Sequence, residues 1–422
     1  MKQILVIGAG PAGMMAAIRA AENGAEVTLL EKMKRPGRKM MITGKGRCNI
    51  TNAADVPEII RNIHGNGAFL NSSMRAFDNR DVMDFFVERG VPVKVERGVP
   101  VKVERGNRVF PVSDKAQDVV DAMVHRLHEL GVRIELEMPV TDILLQEGHV
   151  AGVRTKSGAH YKADAVILAV GGASYPGTGS TGDGYAMAKK LGHTIVPLQP
   201  SLVPLETEED WVKDVQGLSL RNVRATLLAD GGKVQEMFGE MMFTHFGVTG
   251  PIILSMSRQA AKCLADGKFV ELELNLKPAL TPEKLDARVQ RDFEQYIRKS
   301  LKNGLMDLLP HKLIEPVLDC AYLDPEKPVN QVTAEERHRL VETLQHLTLT
   351  ITKTRPLAEA IVTAGGVSVR EINPKTMESK LVPGLYFAGE VVDVDAYTGG
   401  YNLQAAFSMG NAAGCWSVWN DD

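Results

Sequence analysis

The 422-residue chain has only four cysteines, Cys48, Cys263, Cys320 and Cys415, scattered with no Cys-x-x-Cys pair. That spacing excludes a disulfide scaffold, a cysteine zinc site and a dithiol redox centre, so no metal is expected, and a reducing cytoplasm fits best. No apolar run reaches the ~18 residues of a membrane span. Charge of one sign is also missing. The net charge is −3, and no basic, aromatic-rich segment occurs, which argues against nucleic acid or an anionic membrane as a partner. A signal peptide is not expected either, because the apolar run of "MKQILVIGAG" leads straight into a glycine loop and reads as a first strand.

What is present is the balance of an ordinary globular protein, 44% apolar and 24% charged residues, with length enough for two or three domains. The strongest local signal is "ILVIGAGPAGMMAAIRAAENGAEVTLLEK". An apolar strand runs into Gly8-x-Gly10-x-x-Gly13, a helix rich in Ala and Met follows, and a second strand ends in Glu31. Gly8 suits a tight turn, Gly10 lets backbone approach a pyrophosphate, and Gly13 lets helix and strand pack closely. The helix start presents unpaired N–H groups and the positive end of the helix dipole to phosphate. Glu31 suits a ribose diol. Pro11, Ala12 and the Glu31–Lys32 pair suit adenosine diphosphate without separating FAD from NAD.

The rest of the chain separates them. "RKMMITGKGRCNITN" is a basic, glycine-rich loop soon after Glu31, and it suits a long cofactor lying extended; Gly44, Gly46, Arg47, Cys48 and Asn49 are its candidate contacts. Cys48 suits either a position near a redox ring or a buried structural thiol. Residues 132–170 read as hairpin-linked antiparallel strands, with Val140 among the candidate cofactor contacts. Ala165 to Val170 suits a central parallel strand ending at Gly171-Gly172. A second formal GxGxxG at Gly177, Gly179 and Gly182 has no βα unit ending in an acid after it, so a packing helix is expected there rather than an NAD site.

Near the C-terminus, Leu385 to Ala388 reads as another buried strand of the same sheet, with Gly389-Glu390 at its end, where open α/β sheets bind ligands. Gly399-Gly400 opens a helix starting with Tyr401, Asn402 and Leu403. Its N-terminus is expected to face the pyrimidine side of a flavin, where charge collects on reduction. The expected architecture is a Rossmann-like FAD-binding domain of the two-dinucleotide-binding flavoprotein type, formed by 1–194 and 356–422. An inserted β-barrel-like and helical domain takes 195–355, entered at Pro197, Pro200 and Pro204 and left at Pro356.

The chain resembles the BaiN-like bacterial flavoproteins, the NAD(P)/FAD-dependent oxidoreductases. The resemblance rests on "VIGAGPAGMMAA", "TGKGRCNITN", "RVFPVSDKA", "GGASYPGTGSTGDGY", "FTHFGVTGP", "TAGGV", "TMESK" and "GLYFAGEVVDVDAYTGGYNLQ". It implies bound FAD and a middle domain over the flavin, and it leaves the substrate open. We expect hydride transfer between flavin N5 and a small organic substrate, with NAD(P)H as transient donor; an oxygen-dependent amine-type oxidase, a non-catalytic flavoprotein and an RNA-modifying flavoprotein are the rivals. In "FTHFGVTGP", His245 suits proton transfer to substrate, against a reading in which local backbone satisfies it. Tyr175 and Tyr397 are weaker candidates. The family has one copy of an octapeptide that occurs twice here, Val91 to Gly98 and Val99 to Gly106; its even length preserves strand faces.

Overall fold

The computed structural model describes residues 1–96 and 107–419. Two compact units divide the chain, one of Met1–Pro200 with Leu357–Asp422, the other of Ser201–Pro356.

The first unit is built on a five-stranded parallel sheet in the order Leu385–Phe387, Ala165–Leu168, Gln3–Ile7, Glu26–Leu30, Arg133–Glu135. Its central strands are apolar almost throughout because both faces are covered: Val166, Ile167 and Leu168 are fully buried, as are Leu385 and Phe387. The helix Pro11–Glu22 returns from the first strand and packs along the C-terminal helix Tyr401–Val418. Small residues allow that contact. A Cβ on Gly410 would lie 2.3 Å from the Ala12 carbonyl oxygen, so any side chain there would push the helices apart.

Three expectations change. Arg133–Glu135 does not pair with the hairpin that follows; it is the edge strand of the parallel sheet, beside Glu26–Leu30. Met138 N–H binds the Glu31 carbonyl at 2.9 Å, and Pro139, which has no N–H to give a ladder, takes the chain into the antiparallel strands Val140–Gln146, His149–Thr155 and His160–Lys162. Residues 195–200, read as the start of the insertion, form the strand Ile195–Ser201, which pairs with Val362–Val367. By its sequence Pro282 to Leu301 reads as one helical stretch; the helix ends at Gln295, and a separate short helix begins at Leu301 after an extended Ser300.

The second unit is a closed six-stranded barrel in the order Leu205–Thr207, Gly247–Thr249, Gly232–Thr244, Ser219–Ala229, Val270–Asn275, Leu347–Thr354. Alternation of buried and part-exposed residues along Val270–Asn275 places Val270, Leu272 and Leu274 inside. The helix Pro251–Ala265 packs on the barrel strands, and helices Pro282–Gln295, His311–Cys320 and Ala334–Gln345 form the helical part. Thr333 and Glu336 close a reciprocal capping box at the start of Ala334–Gln345.

Of the repeated octapeptide, Val93–Glu96 is a strand paired with Arg108–Pro111. The remainder, 97–106, lies outside the described residues.

Candidate functional site

The turn after the first strand is shaped by sterics. Gly8 sits at φ +100°, and a Cβ on Gly13 would fall 1.8 Å from the Gly8 carbonyl oxygen. Gly10 is different: a Cβ there meets nothing within 4 Å. Gly10 caps the helix Pro11–Glu22 with no side-chain hydrogen bond, so the helix start keeps its dipole and N–H groups toward open space. Ala12 is buried just inside this start. Glu31 is fixed beside the turn, its Oε2 accepting from Ala9 N–H at 2.7 Å and its Oε1 from Met33 N–H at 2.8 Å. Lys32 turns away from its neighbour and joins the second glycine stretch, with Nζ 2.6 Å from Asp183 Oδ2.

The loop after residue 42 is unusual in its backbone. Gly44, Lys45, Gly46 and Cys48 all lie at positive φ. Arg47 stacks its guanidinium 4.0 Å from the centre of the Phe110 ring and lies 3.5 Å from Asp114. The Cys48 side chain is fully buried, and burial pushes its thiol up to about 12, against a weaker opposing hydrogen bond with Thr43. The Cys48 thiol is thus buried, and its burial favours the protonated form.

This loop meets the C-terminal glycine turn. With the Asn49 amide oriented as its neighbours' donors and acceptors require, its oxygen accepts from Gly400 N–H at 2.8 Å, while its nitrogen donates to the Val109 and Thr51 carbonyls. Asn52 Nδ2 donates to the Gly399 carbonyl at 2.9 Å. Gly400 is at φ +95°, and a Cβ there would stand 2.2 Å from the Thr51 carbonyl oxygen, so glycine is required. Asn402 brackets Ala396, accepting from its N–H and donating to its carbonyl, both at 2.9 Å. Tyr401 is buried and Leu403 packs partly buried against the main core.

A third approach comes from the sheet ends. Gly171 is at φ +75° and Gly172 is pressed between Thr363 and Glu390. Glu390 is the hub. Lys39 Nζ lies 2.7 Å from its Oε2, Thr363 N–H donates to its Oε1 at 2.8 Å, and Ser174 Oγ donates at 3.0 Å. Burial alone would raise this carboxyl; the Lys39 charge and the hydrogen bonds outweigh it and hold the group below the ordinary carboxylate range. Gly389 lies against Ala12, so the end of the strand Leu385–Phe387 sits next to the start of the first helix. Val140 begins the antiparallel strand opposite Thr155 and is buried there.

The structure therefore assembles the first glycine turn, the 43–52 loop, the 171–174 segment and the C-terminal turn within the first unit. Sequence reasoning missed Lys39, Ser174 and Thr363. Lys39 is inside a stretch already singled out, but nothing in its spacing distinguishes it from Lys45.

In the second unit, His245 is exposed in the two-residue connection between the strands Gly232–Thr244 and Gly247–Thr249. Its ring stands edge-on to Phe246, with centroids 4.9 Å apart, and Arg355 covers Phe246 at 4.6 Å. Its ring nitrogens make no hydrogen bond within the described residues, so local backbone does not satisfy it as the rival reading supposed. Tyr175 is at φ +51° and partly exposed. Tyr397 packs edge-on against His64 at 4.2 Å. No cluster of His, Cys, Asp or Glu suited to a metal occurs among the described residues, and no helix among them is long and apolar enough to cross a membrane.

A parallel sheet with a glycine turn opening on an uncapped helix, and an acid closing the second strand, defines the Rossmann class of dinucleotide-binding proteins. Residues 2–416 match the model of the HI0933-like protein Rossmann domain, and the chain belongs to that family. It is 33% identical over 430 aligned positions, covering 98% of both chains, to a 3-dehydro-bile acid delta(4,6)-reductase of Clostridium scindens. It is 31% identical to a ribosomal RNA dihydrouridine synthase of Escherichia coli, over 96% of this chain and 95% of that one. Among solved structures, the 3-ketosteroid-delta4-(5alpha)-dehydrogenase of Rhodococcus jostii shares the fold, with a TM-score of 0.50 and 16% identity over 99% of this chain and 97% of that one. The family and fold are those of FAD-binding flavoprotein oxidoreductases, as the motif resemblance implied.

Proposed function

We propose that this protein is an FAD-dependent reductase that saturates a carbon–carbon double bond conjugated to a carbonyl in a small organic substrate, with NAD(P)H as the electron donor. The observation that carries the reading is the full-length match to a delta(4,6)-reductase on a chain whose first unit has the open, uncapped helix start at Gly10. The name dihydrouridine synthase also describes saturation of such a bond.

The residues fit FAD. Open space over Gly10 and the helix start suit a pyrophosphate, with Gly8, Pro11, Ala12 and Gly13 forming the turn. The Glu31 carboxylate, held by two backbone N–H groups, retains acceptor capacity for a ribose diol. Lys39 and Glu390, with Ser174 and Thr363, make a polar wall at the sheet ends. The segments around Gly44, Gly46, Arg47 and Asn49 and around Gly400, Tyr401, Asn402 and Leu403 form a further wall, with Val140, Gly171, Gly172 and Gly389 lining the approach. Bound FAD supplies hydride chemistry that no side chain offers. The protein's part is to bind and orient the substrate and to deliver a proton to the carbon next to the carbonyl. His245 is the group we assign to that proton, because it is an exposed imidazole with no hydrogen bond among the described residues.

A second reading, reduction of a uracil in RNA, is favoured by the relatives named ribosomal RNA dihydrouridine synthase, at 31% and 30% identity. The net charge of −3 weighs against it.

The test is anaerobic mixing of the FAD-loaded protein with NADPH, then NADH, while following the visible flavin band. Bleaching on the time scale of turnover supports the reductase. A band that persists with both nicotinamides yet bleaches with an amine contradicts it and favours the oxidase.

A further inference from the structure

A cavity of about 490 Å³ opens in the first unit where the helices Pro11–Glu22 and Tyr401–Val418 end, beside the helix Asn79–Val87. Arg19, on its wall, is nine residues beyond Gly10, or about 13 Å along a helix of 1.5 Å rise. The cavity is thus separate from the cofactor turn. Its volume is in the range that holds small molecules.

Three features of the wall define what fits. The first is aromatic surface: Trp416 and Trp419 line the cavity, and Trp419 is 48% exposed, whereas Phe77 and Phe85, also on the wall, are each only 3% exposed beneath an arginine. Flat π surfaces of this kind favour a planar ring. The second is Asn411. Its residue is 8% exposed, it lines the cavity, and its side-chain amide has no hydrogen-bond partner among the described residues. Its amide atoms are not sealed in the interior but reach the cavity, so they present a donor and an acceptor side by side to an occupant. The third is charge. Arg19 and Arg89 share the single Glu22 carboxylate, at 2.7 and 3.8 Å, with Arg126 at 2.9 Å, and the guanidiniums of Arg19 and Arg89 lie over Phe77 and Phe85. Asp81, Asp84 and Glu88 complete the lining, so the cavity carries more acid than base. A phosphate would meet repulsion there.

We propose that this cavity is a binding site for an uncharged or cationic nitrogen heteroaromatic with an amide-type edge, of the kind found in free nucleobases and nicotinamide, and that it rejects the phosphorylated forms. Asn411 reads the amide edge and the aromatic wall takes the ring.

The test uses the FAD-loaded full chain, titrated by calorimetry and by tryptophan fluorescence with adenine, uracil and nicotinamide, and with AMP and UMP. At least one base is expected to bind saturably at sub-millimolar concentration, and its nucleotide or phosphorylated counterpart about tenfold more weakly. Asn411→Leu should weaken the base by about tenfold or more, with the flavin band and melting temperature unchanged. Trp419→Ala, at an exposed position that the fold does not need, should weaken it as well. The proposal is overturned if none of the three bases binds saturably up to ~10 mM. Binding that survives both substitutions, or nucleotides that bind tighter than the bases, overturns it equally.

Discussion

Lys39 Nζ lies 2.7 Å from Glu390 Oε2, joining two residues 351 positions apart, each about a fifth exposed. The pair is the hinge of the polar wall, and it sets a pH signature. Glu390 is held below the ordinary carboxylate range, so the pair's contribution to stability is full above the unfolded value near 4.5 and is lost as pH falls below it. Lys39→Met leaves an uncompensated, mostly buried carboxylate and should cost about 3 kcal/mol at neutral pH, at the low end for a buried pair because some exposure remains. The gap from the parent should narrow as the pH is lowered and the orphaned carboxyl takes up a proton. Adding Glu390→Gln should recover much of the loss. Urea unfolding of the three variants across pH 4–8 checks this.

Gly10 and Gly13 separate binding from folding. A Gly10 side chain meets no protein atom within 4 Å, whereas one at Gly13 collides with the Gly8 carbonyl. Gly10→Val should therefore purify folded, within about 1 kcal/mol of the parent stability, and carry no flavin. Gly13→Ala should lose stability outright. Absorbance spectra and thermal melts of the two proteins give the comparison. A Gly10→Val protein with its full complement of FAD would refute the pyrophosphate assignment.

Cys48 should be inert in the native protein. With its thiol pushed up to about 12 and its side chain fully buried, only about one molecule in ten thousand carries the thiolate at pH 8. Iodoacetamide at that pH should label Cys48 only after unfolding, as read by peptide mass spectrometry. Cys48→Ser should leave flavin reduction unchanged. Ready labelling of Cys48 in the folded protein would contradict the burial.

His245→Gln tests the proton assignment. Substrate turnover should fall about 10²-fold, the range for loss of a positioned acid, while bleaching of the flavin by the nicotinamide is unaffected. Stopped-flow measurement of the two half-reactions separates these. Equal loss in both would place His245 elsewhere in the chemistry.

Much of the fold was legible because each local rule agreed with the others. The first βαβ unit pairs a buried strand, a glycine turn and a closing acid. Val166, Ile167 and Leu168 could be read as central because a strand covered on both faces must be apolar throughout. Arg133–Glu135 was misread because side-chain period identifies a strand but not its partner, and short gaps favour the hairpin reading. Glycines of the site are visible because backbone sterics demand them. The polar wall is not, apart from Glu390: Lys39, Ser174 and Thr363 come from three other segments, and only the folded sheet ends bring them to it. Likewise the Asn49–Gly400 contact links a loop to a helix start some 350 residues on, and nothing in either stretch announces the other.

The oxidative half-reaction tests the account most directly. The holoprotein, reduced anaerobically with one equivalent of dithionite, is mixed with a small conjugated enone, 2-cyclohexen-1-one, and, separately, with the saturated ketone of the same skeleton. The enone should restore the oxidised flavin band, with one double bond saturated per flavin, and the saturated ketone should not. A reduced flavin that ignores this and other conjugated enones, and recovers its band only when oxygen is admitted, would contradict it.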